Sequence, residues 1–232
     1  MKDREIDEML SSAPLPPGPD PEALRRIADS IKPSMAPVRP LWPNWALTGG
    51  LVLICAAVAF AGAARAGFSG VEKMDWLERA LVFSALGLFA WAAASVFVRA
   101  MIPGSRRRIS AGALLAACCA GLAGVFALLF RDYHSTHFVS AGLLCLVTGI
   151  AHAAPTALLG WLLLRRGFAV RPVAAGLAAG TLAGLAGVGV LELHCVNFEA
   201  AHILVWHTAV VPLSAVAGAL IGLIVSQRRK PA

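Results

Sequence analysis

The sequence predicts an all-α polytopic membrane bundle, six transmembrane helices carried behind a short N-terminal cytoplasmic segment. Three observations predict it. Hydrophobic residues make up 58% of the 232-residue chain and Asp, Glu, Lys and Arg only 14%, where a water-soluble domain carries about 25% charged residues. Mean hydropathy is +0.73. The charges are also unevenly placed, because 13 of them precede Pro43 and the rest form short clusters between long apolar runs. A formal charge of +7 would be compatible with direct binding to nucleic acid, but positive charge confined to short loops between apolar segments sets membrane topology instead.

The chain divides into a cytoplasmic segment (1–44), a six-helix transmembrane domain (45–225) and a basic cytoplasmic tail (226–232). In the head, Asp3–Leu10 has acids in its first turn and Ile6, Met9 and Leu10 at helical spacing, and the pattern stops before Pro14. A second helix is expected after Asp20, a good N-cap, with Pro21 in the first position and Leu24, Ile27, Ala28 and Ile31 on one face. Pro33, Pro37, Pro40 and Pro43 then favour an extended spacer towards the membrane. Helices of this length are not stable alone in water and are too few to enclose a core. They lie on the membrane surface, stay disordered, or bind a partner. The head carries six Lys and Arg against seven Asp and Glu, so it lacks the basic face that anionic lipid attracts. A protein partner is the sharper reading.

A helix that crosses the bilayer needs about 20 mostly apolar residues, since every backbone polar group has to be satisfied inside the segment. Six segments qualify: Trp45–Ala64, Leu77–Val98, Ala111–Phe130, Phe138–Leu164, Val173–Leu193 and Ile203–Val225. The fourth is long enough to tilt, to kink at Pro155 or to begin with a turn beyond the lipid. Because the first apolar run starts only at Trp45, that span is expected to act as its own insertion signal rather than as a cleavable leader. Ten cations, from Arg99 to Lys230, fall on one side of the membrane; the other side has Arg65, Lys73, Arg79 and Arg131. Glu72, Asp75, Glu78, Asp132, Glu192 and Glu199 lie near that second side. The positive-inside rule therefore places both termini in the cytoplasm.

No signature of a hydrolase, kinase or dinucleotide-binding enzyme is present, and the expectation is that the chain is not an enzyme. Ionisable groups within the spans are scarce. His152 is the clear case, and a hydrogen-bonded structural role is expected for it. Gly176, Gly180 and Gly184 form one small-residue ridge on the fifth span, and Gly218 and Gly222 form another on the sixth. Such ridges permit close helix packing, within one chain or in a homodimer. Cys55, Cys118 and Cys119 read as packing residues. By contrast His134, His137, Cys145, His194, Cys195, His202 and His207 all fall outside or near the outer interface. Two thiols facing an oxidising compartment can pair as a disulfide, and thiolates beside imidazoles can bind a transient soft metal ion such as zinc or cadmium. Glu199 and His202 have the spacing of a carboxylate-bridged iron site, but the second copy such a site needs is missing.

The stretch from Cys145 to Pro172, CLVTGIAHAAPTALLGWLLLRRGFAVRP, resembles the cysteine, mid-helix proline, LRRG and RP pattern of the six-span NrsF-like family, negative regulators of sigma F. The similarity continues through AAGLAAGTLAGLAGVGVLELHC, ending at Cys195, and VWHTAVVPLSAVAGALIGL, from Val205 to Leu223; Pro37–Leu41 is similar to the entry to the first span. The resemblance implies a bacterial inner-membrane anti-sigma factor whose N-terminal segment holds an extracytoplasmic-function sigma factor. It also implies a pair of outward-facing cysteines, here Cys145 and Cys195, that sense metal or oxidative stress. The head departs from the pattern by an inserted Pro14–Pro19 stretch between its helices. Two other classes stand beside this reading: a small metal or solute transporter using the same His/Cys set, and a membrane protein of structural role. Scarce intramembrane charge favours the regulator over the transporter.

Overall fold

The computed structural model describes residues 18, 20–32, 42–105, 109–133, 137–166 and 169–228. The expected first head helix, with Ile6, Met9 and Leu10, lies outside the described residues, as does most of the proline spacer and His134. The chain forms two compact units, Met1–Leu41 and Trp42–Ala232.

In the first unit, α1 spans Pro21–Ile31, with Asp20 as its N-cap accepting from the Glu22 amide at 3.0 Å and Pro21 in the first turn. No residue of α1 is buried. Leu24 is 49% exposed and Ile27 55%, so the apolar stripe is presented to the surroundings.

Among its described residues, the second unit consists of helices and the connections between them. Its helices are α2 (Asn44–Ala66), the short α3 (Ser69–Lys73), α4 (Trp76–Met101), α5 (Ala111–Leu129), α6 (Phe138–Arg166), α7 (Pro172–His194) and α8 (Ala200–Gln227). All but α3 are long and apolar enough to cross a membrane. They stand where hydropathy placed them, the sixth span starting three residues earlier, at Ala200.

Local chemistry sets the ends. Gly67, at φ +103°, closes α2 with its amide on the Ala63 carbonyl, a conformation an L side chain rarely adopts. Asp75 and Glu78 form a reciprocal capping box at the start of α4, at 2.7 and 2.8 Å. Ser110 caps α5, and Pro172 occupies the first turn of α7. The long α6 runs continuously through Pro155. His152 bonds its own helix, Nδ1 lying 2.8 Å from the Thr148 carbonyl.

α7 is the axis of the bundle. Of its most apolar stretch 83% is buried, against 22–39% for the other five spans, and α8, α6, α4 and α2 all pack on it. Its composition explains this. Lipid tails are as apolar as leucine, so apolar side chains gain little by leaving lipid for another helix; close backbone approach and dispersion decide packing instead. Gly176, Gly180 and Gly184 give α7 a flat face, and α8 offers Gly218 and Gly222 against it. A Cβ on Gly180 would meet the Ser214 carbonyl and stand 2.8 Å from Ala215 Cα; one on Gly218 would stand 2.9 Å from Gly180 Cα. The two ridges therefore face each other within one chain. Larger side chains such as Leu53, Phe60, Leu88, Leu128 and Leu220 point away from the core, where acyl chains solvate them.

Substitution separates this contact from glycine content in general. Gly180→Ala forces a methyl group against backbone and is expected to destabilise the purified protein by about 1–3 kcal/mol, the usual range for overpacking. Nothing lies within 4 Å of a Cβ on Gly50, so Gly50→Ala leaves the thermal midpoint in detergent unchanged or raised.

Candidate thiol and imidazole site

The helix ends opposite Asn44 and Gln227 bring three connections together. Gly70 of α3 sits under the end of α7, where a Cβ would stand 2.7 Å from the Cys195 carbonyl and 2.8 Å from that of Glu192. The Ala200 amide donates to the Asp132 carbonyl at 2.5 Å, and the Phe130 and Phe198 rings pack 5.4 Å apart. Lys73 Nζ reaches the Val196 carbonyl at 3.5 Å. Described residues of the α2–α4, α5–α6 and α7–α8 connections thus meet at this end of the bundle, where α7 ends and α8 begins.

At the same end, one ligand atom each of Cys145, Cys195, His202 and His207 lies within 4.8 Å of the others. Cys145 lies two turns into α6; Cys195 is the residue on which α7 ends, its amide bonded to the Leu191 carbonyl. Their sulfurs are 3.6 Å apart and both thiols are free, well beyond the ~2.05 Å of a disulfide. Cys195 Sγ is 3.8 Å from His202 Nε2. Cys195, His202 and His207 are buried, and Cys145 is partly so.

The two histidines converge because of a local departure from α-helical geometry. At 100° per residue, positions five apart on an α-helix point about 140° away from each other. Ile203–His207 instead forms a π turn, and the Thr208 amide reaches back five residues to the Ile203 carbonyl. The extra residue in that turn carries His207 round onto the face of His202. Their rings meet edge to face, centroids 5.3 Å apart. Trp206, in the same turn, lies on Gly142 of α6, one turn before Cys145, and its ring packs 5.5 Å from Phe138. That indole closes the flank of the site.

Glu192 is the participant the sequence reading missed. Counted there among carboxylates near the outer loops, it is only 1% exposed, and Oε1 lies 2.7 Å from His207 Nδ1. One turn of α7 separates it from Cys195, so both face the same interior. His194 is not among the four converging residues. Two positions from Glu192 on a helix is a rotation of about 200°, which turns His194 away from the His207 side. His137 is exposed at the start of α6.

The thiol of Cys195 is held above its ordinary range, first by its hydrogen-bonding contact with Cys145 and then by burial; the His202 and His207 rings pull the other way. As for donor chemistry, four ligands on a tetrahedral zinc-like ion stand roughly 3.3–3.8 Å apart; the Cys145–Cys195 and Cys195–His202 separations of 3.6 and 3.8 Å fall at that spacing, within a set whose donor atoms all lie within 4.8 Å of one another. His207 Nε2, His202 Nδ1 and Glu192 Oε2 are buried without hydrogen-bond partners. Two thiols and two imidazoles with an unpartnered nitrogen among them suit a soft or borderline divalent cation.

Fold and site together define a multi-pass membrane protein with a buried thiol, imidazole and carboxylate cluster at one end of its bundle. Residues 28–226 match the family model NrsF, described as negative regulator of sigma F, and the chain belongs to that family. No curated protein and no solved structure matches the chain.

A raised thiol is protonated, and unreactive, up to a higher pH. With Cys55, Cys118 and Cys119 replaced by Ala, the rate of Cys195 alkylation in native protein should rise with pH along a curve displaced above that of the unfolded chain. Coincident curves, read by mass spectrometry of the Cys195 peptide, would contradict the assignment.

Proposed function

We propose that this chain is an anti-sigma factor of the bacterial inner membrane. Both termini lie in the cytoplasm, the N-terminal segment holds an extracytoplasmic-function sigma factor, and the thiol and imidazole cluster faces the outer compartment as the sensor. The observation that carries the reading is the convergence of Cys145, Cys195, His202 and His207 in a member of a family described as negative regulator of sigma F. The head supports it independently. α1 presents Leu24 and Ile27 about half exposed, and an apolar stripe on a helix of 11 residues is the kind of element that seats in a groove on a partner.

In the resting state the thiols are free and the stripe of Leu24, Ile27 and Ile31, with Ile6, Met9 and Leu10 upstream, masks the sigma factor. Two stimuli act on the same sulfurs. A peroxide oxidant takes two electrons and two protons from the pair, so that the Cys145–Cys195 bond forms and the peroxide leaves as two waters. A soft metal ion instead displaces both thiol protons. Oxidation draws the sulfurs from 3.6 Å to about 2.05 Å, pulling α6 towards the end of α7. Since α8 packs on α7 through backbone, displacement at one end of α7 is not absorbed by flexible side chains. A coupling of a few kcal/mol is enough to change occupancy of the head.

The head provides the test. In a strain carrying a reporter for the cognate sigma factor, Leu24→Asp or Ile27→Asp places a charge in the apolar contact and costs ~2 kcal/mol or more, about thirtyfold in affinity. Reporter output then rises towards that of a deletion at unchanged membrane abundance of the chain. Full repression by both variants would sink the proposal.

A further inference from the structure

Among the groups at the site, Glu192 has no part in thiol oxidation, yet a carboxylate that is 1% exposed is kept at the end of the most buried helix of the bundle. Burial of a charge is costly unless it is paired and hydrogen-bonded, and its partner here is one specific atom, His207 Nδ1, at 2.7 Å. The bond fixes the imidazole. When the ring is neutral and Nδ1 donates to the carboxylate, the lone pair lies on Nε2, the nitrogen left buried without a hydrogen bond. His202 is set from the opposite direction, Nε2 lying 3.8 Å from Cys195 Sγ. Metal-binding histidines are commonly oriented in this way, the second ring nitrogen donating to a carboxylate that fixes the tautomer and strengthens the ligand.

We propose that Glu192 is a positioning residue which holds His207 as the fourth ligand of a closed Cys145, Cys195, His202 and His207 site for one divalent soft or borderline cation of the zinc and cadmium class. The inference rests on the reading of this cluster as the sensing site and deepens it. On binding, each thiol loses its proton to solvent and forms a sulfur–metal bond, while the two imidazoles bind as neutral donors. Two thiolates neutralise a divalent ion, and Glu192 stays hydrogen-bonded to the His207 N–H, adding negative charge behind the ligand. Four protein ligands leave no open coordination position, which is the arrangement of a structural or sensing site rather than a catalytic one. A metal-loaded site also withholds both sulfurs from disulfide formation, so metal capture and oxidation are mutually exclusive states of one centre.

The test uses the full chain in lipid nanodiscs, with Cys55, Cys118 and Cys119 replaced by Ala and cobalt(II) as the optical probe. The expected result is one cobalt per chain with thiolate charge-transfer absorption and tetrahedral ligand-field bands, displaced by zinc. Glu192→Gln keeps the charge-transfer absorption, shifts the ligand-field bands and weakens zinc binding by about 10–100-fold in chelator competition; Glu192→Asp recovers part of that loss. Absence of stoichiometric binding by the parent chain overturns the proposal, as does a Glu192→Gln protein with unchanged spectrum and affinity. Should Glu192→Gln not remain monodisperse, Glu192→Asp decides alone: weaker binding with shifted bands supports the assignment and parental behaviour overturns it. No sigma factor enters these measurements. A chain that binds metal but never retains a sigma factor defeats the anti-sigma reading alone, and one that retains sigma but binds no metal defeats only the metal site.

Discussion

Contact of backbone with backbone between α7 and α8 is the constraint on which the rest of the bundle depends. In lipid an apolar side chain gains little by moving from acyl chains to a neighbouring helix. Glycines at 176, 180 and 184 facing those at 218 and 222 supply dispersion contacts that larger residues cannot. They also fix the register, because a shift of one residue along either helix would place Ala, Leu, Thr or Ile side chains where only hydrogen fits. Once α7 is held against α8, α6, α4 and α2 close round it, and α7 becomes the buried axis whose far end carries Glu192 and Cys195.

The site follows from that geometry and from one irregularity. Register of α7 against α8 sets Glu192 opposite His207 and Cys195 opposite His202, and the π turn at Ile203–His207 makes both histidines available to the same point. π turns within longer helices are often found at functional sites, and here the displaced residue is a candidate ligand. Cys195, His202, His207 and Glu192 are buried, so their polar groups act on one another with little screening.

Much of the fold was legible in the chain because a membrane forces each span to declare itself: about 20 apolar residues without a break leave little freedom of boundary, and Asp75 with Glu78, Ser110 and Pro172 mark helix starts by their own chemistry. The glycine ridges were legible as ridges, though not as partners of each other. Cys145 and Cys195 were legible as residues at one end of the bundle. The His202 and His207 pairing was not, because a spacing of five separates residues on an α-helix and no residue type in Ile203–His207 announces a π turn. Glu192 was hidden for a different reason. Counting charges by loop cannot tell a carboxylate in the last turn of a span from one just beyond it, and only the Glu192 to Cys195 spacing, one helical turn, hinted that the two share a face. His194, counted with the histidines and cysteines near the outer interface, is not among the four that converge.

In the proposed function, a head that holds a sigma factor is coupled, through the spans, to the thiol and imidazole cluster. The most direct measurement of that link is sigma-factor retention by the full chain in nanodiscs, before and after cadmium or hydrogen peroxide, for the parent protein and for Cys145→Ser with Cys195→Ser. Release from the parent and retention by the double variant under the same treatment is the predicted result. Equal retention, or equal release, by both proteins would contradict the link between the cluster and the head.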